Sequence, residues 1–209
     1  MQRQHHLHHQ DWLLVNKPKF YKSFRSRKHQ DSLSNLQVLT TDILKDHKKI
    51  IIDIGFGTGE STIYLHNKYK DCLVCGLEAY KLGINKLVDK SIMTHYGDAL
   101  EFLEKIDSNT INKVYMLFPD PWQKKKHRKR RLFNEYTFSV IDRILLKRGM
   151  FHFASDNIDY AIRAKRIMQA ACKESKGFSK NRGERPITKY EKKALSKNKF
   201  VFDLIYTKN

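Results

Sequence analysis

Long apolar runs are missing from this 209-residue chain. No stretch approaches the roughly 18 to 20 residues that a bilayer span needs, and one of the longest, Ile50 to Ile54, is interrupted by Asp53. A membrane-spanning protein is excluded on this reading. The four apolar residues Trp12 to Val15 are too few for the core of a secretion signal, so a cytoplasmic location is expected. Cysteine is also scarce. The three present, Cys72, Cys75 and Cys172, are an odd number and build no disulfide framework. Cys72 and Cys75 fall in a predicted strand at odd spacing, which points them to opposite faces and speaks against a zinc or redox pair. His5, His6, His8 and His9 have no second type of ligand beside them, so no metal site is read there. Acidic residues are few as well: 22 against 41 lysines and arginines, a formal charge of +19. That surplus calls for an anionic partner, nucleic acid or an anionic membrane surface.

What is present suffices for a folded domain. The 40% hydrophobic and 11% aromatic content excludes a wholly disordered basic tail. At roughly 150 residues per domain the length suits one α/β core with short appendages. Residues 1–49 read as a basic arm, partly flexible, in which Lys17, Lys19, Lys22, Arg25, Arg27 and Lys28 alternate with Phe20, Tyr21 and Phe24. Cations interleaved with aromatics suit phosphate contact and base stacking, and a solvated tail has the same composition. From residue 50 to 209 short apolar runs alternate with helical stretches. Strands are predicted at Ile50 to Ile54, Leu73 to Leu77, Met93 to Tyr96, Val114 to Phe118, Met150 to Ala154 and Val201 to Tyr206. Between them lie helices, among them one over Leu132 to Lys147 with Gly149 as its terminating residue. Such alternation predicts a Rossmann-like, doubly wound, mostly parallel sheet with helices on both faces.

Three of the nine glycines crowd into Asp53-Ile54-Gly55-Phe56-Gly57-Thr58-Gly59, between the first strand and the first helix of that region. Nucleotide-like ligands bind a doubly wound sheet at this place. The spacing is not the Gly-x-Gly-x-x-Gly of dinucleotide sites, and the Gly-Lys-Ser/Thr of a P-loop is absent. Asp53 at the strand end would repel phosphate and attract a cation. Glu78 ends the second strand, where a carboxylate accepts ribose hydroxyls, and Asp98 follows the third, within reach of an adenine amino group. Taken singly, each acid suits a solvated turn equally well. Together they resemble the class I S-adenosylmethionine-dependent methyltransferases.

Two of the four prolines bracket Asp120 in Phe118-Pro119-Asp120-Pro121-Trp122, just past the fourth strand, and fix its backbone at the crevice. Seven cations follow between Lys124 and Arg131. This stretch, the glycine loop, and Arg185-Pro186-Ile187-Thr188-Lys189-Tyr190-Glu191 closely resemble the tRNA (guanine-N7-)-methyltransferase family, from about residue 49 to 209. The resemblance implies S-adenosylmethionine as methyl donor, without a metal. It implies a donor site of Asp53, Gly55, Gly57, Gly59, Glu78, Asp98 and Asp120, with Asp120 also catalytic. It further implies guanosine contacts from Lys124, Asp156, Thr188, Lys189, Tyr190 and Glu191, and guanosine 46 of the tRNA variable loop as target. The residues themselves leave other roles open: Asp156 as a helix cap, Thr188 to Glu191 as a loop closing the sheet, and Trp122 as either a stacking face or a buried anchor. A methyltransferase acting on another RNA, and an RNA-binding protein with a vestigial cofactor fold, are the alternatives. Retention of all four acids argues against the second, and a charge of +19 against a small-molecule substrate. Monomer and homodimer are both compatible with these features.

Overall fold

The computed structural model describes residues 39–88, 90–171 and 177–209. Cys172 and the cations and aromatics of the arm between Lys17 and Lys28 lie outside the described residues. The chain runs α1 (Thr41–Lys45), β1 (Ile50–Ile54), α2 (Glu60–Lys68), β2 (Leu73–Glu78), α3 (Lys81–Val88), β3 (Thr94–Tyr96), α4 (Ala99–Leu103) and β4 (Ile111–Leu117). A 3-10 helix (Lys125–Arg130), α5 (Glu135–Ile144), β5 (Leu145–Ser155), α6 (Ile158–Ala171), α7 (Lys189–Leu195) and β6 (Phe202–Thr207) follow.

The six strands form one sheet in the order β3-β2-β1-β4-β5-β6. β1 to β5 are parallel and β6 runs antiparallel along β5. This is the expected doubly wound architecture. Strand β1 is buried at every position, which a strand covered on both faces requires. On one face Ile50, Ile52, Met116, Phe151 and Phe153 pack against α4, α5 and α6 through Leu103, Ile141 and Tyr160. On the other, Ile51, Val74, Tyr115 and Leu117 pack against Leu65 of α2. Leu39 and Leu44, in the stretch assigned to the arm, are buried in the first of these clusters. Cys72 packs on one face and Cys75 on the other, and burial pushes the Cys75 thiol up.

Several boundaries differ from expectation, and the largest shift lies between α5 and β5. The apolar spacing predicts a helix through Lys147 ended by Gly149, but α5 stops at Ile144 and Leu145 already pairs with Ile111 of β4. The pairing then jumps to Lys113 with Met150, so residues 146–149 form a bulge in which Arg148 has φ +64°. Gly149 therefore belongs to a strand. A Cβ there would come within 2.7 Å of the Leu146 carbonyl oxygen, which is why the residue is glycine.

The chain moves outward from β1 to β2 and β3, then returns to place β4 on the other side of β1. The carboxyl ends of β1 and β4 thus flank a topological switch point, the place where open α/β sheets bind ligands. The glycine loop and the Pro-Asp-Pro turn both project from it.

Candidate active site

Four acids stand at the ends of four neighbouring strands, in the spatial order Asp98, Glu78, Asp53, Asp120. Asp53 is 1% exposed. Its Oδ2 accepts hydrogen bonds from Ser61 Oγ at 2.5 Å and Thr62 Oγ1 at 2.8 Å, both on α2. Its Oδ1 is buried with no hydrogen-bond partner among the described residues. Burial pushes this carboxyl up to about 6, against the pull of the two hydroxyls. Ser61 and Thr62 escaped the sequence reading, although hydroxyls one turn into a helix after a strand-end acid are a usable signal.

Gly55, Gly57 and Gly59 have φ of +69°, +59° and +86°, a left-handed series that other residues adopt only with strain. The loop is tied to β2 by Gly55 N–H on the Leu77 carbonyl and by Gly57 N–H on Glu78 Oε2 at 2.6 Å. Glu78 Oε1 accepts the N–H groups of Ala79 and Tyr80. Burial raises the Glu78 carboxyl, and these backbone donors oppose it. Two further glycines set the loop's position, and sequence spacing did not single them out. The Phe56 ring fills the place of a Gly76 side chain, and α3 approaches so closely that a Cβ on Gly83 would lie 1.8 Å from the Gly57 carbonyl oxygen. Asp98 caps α4 through the Leu100 N–H.

The turn after β4 is held in an unusual shape, with Phe118 at φ +54° and Trp122 at φ +41°. Two non-glycine residues in this region cost about 1–3 kcal/mol each, so surrounding contacts must impose the turn. Arg131 supplies one: it is buried, donates Nε to the Pro121 carbonyl at 2.8 Å and Nη2 to Asp159 at 2.7 Å, and lies on the Tyr160 ring. Arg128 reaches the same Asp159. Of the seven cations, these two are structural. Lys124, Lys125, Lys126 and Lys129 are exposed and make no ion pair among the described residues, while Arg130 lies over Trp122. Trp122 is half-buried, with His127 at its edge. Asp120, at the crest of the turn, is exposed and makes no hydrogen bond or ion pair among the described residues.

The Arg185 to Glu191 stretch comes to the same crevice as a helix start rather than a plain loop. Thr188 caps α7 by accepting the Glu191 N–H. Glu191 faces inward: it is buried, bonded to Arg185 and to Arg182. Arg185 also forks onto Asp203 of β6, which bonds His152 of β5. Burial alone would raise the Asp203 carboxyl; these partners overcome it and hold the carboxyl below its ordinary value. Lys189 and Tyr190 turn outward. The Tyr190 hydroxyl lies over Gly57, its ring stacks on Phe118 at 6.5 Å, and it is 46% exposed. Partial burial raises its phenol, as do the charges of Asp120 and then Glu78, between which it sits. Asp156 pairs with Lys199 at 3.0 Å; the cap of α6 is Asn157, not Asp156. The structure thus brings Glu78, the glycine loop, Asp120 and Tyr190 together, and turns Thr188 and Glu191 to holding α7.

Comparison with known proteins accords with this geometry. Residues 47–204 match a sequence-family profile described as "Putative methyltransferase". A tRNA (guanine-N(7)-)-methyltransferase of Buchnera aphidicola is 35% identical over 79% of this chain and 75% of its own. One from Francisella philomiragia is 32% identical over 80% and 78%, and one from Hydrogenovibrio crunogenus 34% over 75% and 70%. Among solved structures, the 16S rRNA methyltransferase KamB superposes with a TM-score of 0.58 at 14% identity, covering 80% of this chain and 92% of that one. The aminoglycoside resistance methyltransferase NpmB1 gives 0.50 at 16%, covering 82% and 94%. At such identities these two speak for the fold alone.

Proposed function

The chain belongs to the tRNA (guanine-N7-)-methyltransferase family, and from that premise we propose that it transfers a methyl group from S-adenosylmethionine to N7 of guanosine 46 in the tRNA variable loop, in the cytoplasm. The observation that carries the reading is Asp120, an unpaired carboxylate held on a rigid turn beside the glycine loop and an aromatic ring. The residues present fit the donor. The buried, unpartnered Oδ1 of Asp53 suits the donor's ammonium group, and nothing lies within 4 Å of where a Gly55 side chain would begin. Glu78 accepts three N–H groups and keeps capacity for a ribose hydroxyl. Asp98, one strand further out, would face the adenine. Asp120 stands on the opposite side of β1, where an acceptor belongs.

When bound, S-adenosylmethionine supplies an electrophilic methyl on a sulfonium. Guanine N7 has a free lone pair and no proton to lose, so the protein's task is to orient the base rather than to deprotonate it. Asp120 can hold the base through a ring N–H or amino group and oppose the positive charge that grows on the purine. Tyr190 and Trp122 offer faces for a base that leaves its stack. Lys124 and Lys189 offer phosphate contacts at the rim. Thr188 and Glu191 serve the guanosine by fixing α7, which carries Lys189 and Tyr190.

The test is incubation with labelled S-adenosylmethionine and unmodified tRNA, followed by borohydride and aniline, which cleave at 7-methylguanosine. Cleavage at position 46 is expected; label without cleavage would overturn the N7 assignment. Asp120→Ala should lower turnover by roughly 100- to 1,000-fold while tRNA binding changes little. A matching loss of tRNA affinity would show that the residue only grips.

A further inference from the structure

Behind α7 the loop of residues 179–182 and the turn of residues 195–201 enclose an open groove of about 470 Å³. Phe200 stands on its rim at 80% exposed, the most exposed large apolar side chain among the described residues. It joins none of the apolar clusters, whereas Phe202, two residues on, packs on Phe178. Asn198, at φ +52°, and the N–H groups of Lys197 and Lys199 on the Ala194 carbonyl close the helix and hold this turn outward.

Lys180, Arg182 and Lys199 line the same groove as the ring. Lys180 has no ion-pair partner among the described residues, and Arg182 gives only Nε to Glu191. The two acids of the floor, Glu191 and Asp203, are already paired with Arg185. The groove is therefore basic with an aromatic plate, the combination that binds single-stranded nucleic acid. An apolar peptide would leave these cations unmatched. The groove also adjoins the crevice: Glu191 in its floor follows Tyr190 of the crevice, and Lys199 on its wall bonds Asp156 at the end of β5.

We propose that this groove is a second RNA subsite, holding one unstacked nucleotide near the methylated guanosine, its base on Phe200 and its phosphate between Lys180 and Arg182. The assignment rests on tRNA being the substrate. Its volume falls in the usual range for pockets of small ligands, roughly 300–1,000 Å³. An RNA strand crossing α7 would occupy crevice and groove on either side of one helix, which gives the enzyme a grip on the nucleotides around its target.

The experiment measures binding without methyl transfer. Phe200→Ala should weaken tRNA binding roughly 5- to 100-fold and leave S-adenosylmethionine affinity within about twofold. Lys180→Ala should reduce the log–log salt slope by about 0.7 to 0.9. In Phe200→Trp the added indole fluorescence, read against the parent protein, should be quenched by tRNA and not by a fully paired RNA duplex. Unchanged tRNA affinity in Phe200→Ala, equal loss of donor binding, or an indole indifferent to tRNA would each overturn the proposal. Absence of 7-methylguanosine in tRNA incubated with the parent protein would instead overturn the functional reading, and the two failures are read in separate assays.

Discussion

Asp53 carries the clearest single-residue consequence. Its carboxyl ordinarily titrates near 3.8 and in the fold near 6, so between these values the folded chain binds more protons than the unfolded one. Stability then falls as pH rises through that window and is level above it. Asp53→Asn removes the dependence: by calorimetry the variant should melt several degrees above the parent at pH 7.5, with the gap closing toward pH 4. Donor affinity should move oppositely, rising in the parent between pH 5 and 7 and staying low in the variant. Equal melting temperatures at pH 7.5 would refute a buried anionic Asp53. The position of this acid was legible in the sequence, because Asp53 stands in register with Glu78 and Asp98 at successive strand ends. Its unpartnered oxygen was not, since that depends on which groups α2 folds over it.

At the scale of elements, Gly83 offers a test whose sign is diagnostic. Alanine for glycine inside a helix ordinarily stabilises by about 1 kcal/mol. Here the added methyl would meet the Gly57 carbonyl, so Gly83→Ala should destabilise by about 1–3 kcal/mol and weaken donor binding as the loop shifts. Urea unfolding checks the first and calorimetric titration the second; stabilisation would refute the close approach. The strands were readable because Ile50 to Ile54 and Val114 to Leu117 are short apolar runs bounded by loops. The end of α5 was not, because Leu145 and Leu146 continue a helical spacing, and only pairing with Ile111 makes a strand of them. Arg131 and Arg185 were likewise hidden. One reads as a member of a basic run and the other as a motif residue, and their partners Asp159 and Asp203 lie 28 and 18 residues away.

For the whole molecule the surplus of +19 divides into structural and free charge. Had all seven cations from Lys124 to Arg131 met phosphates, the salt slope they contribute would be roughly −5 to −6. With Arg128 and Arg131 engaged by Asp159 and Arg130 laid over Trp122, the four exposed lysines contribute and the figure drops to about −2.8 to −3.6. Replacing Lys125, Lys126 and Lys129 by glutamine should reduce the measured slope by about 2 to 3 without altering stability, whereas Arg131→Gln should do the reverse. Equal slope losses would show Arg131 to be a phosphate ligand.

The lock on α7 also has a consequence in time. A ribosome that has passed β4 has already made every acid at the strand ends, yet Asp203, which anchors Arg185 and through it the helix bearing Tyr190, comes 83 residues after Asp120. At ordinary synthesis speeds that is a delay of roughly 4 to 17 seconds, during which the nascent chain has its donor loops but no secured cover over them. The Arg185 anchor of α7 can therefore form only after the strand that carries Asp203 has been made.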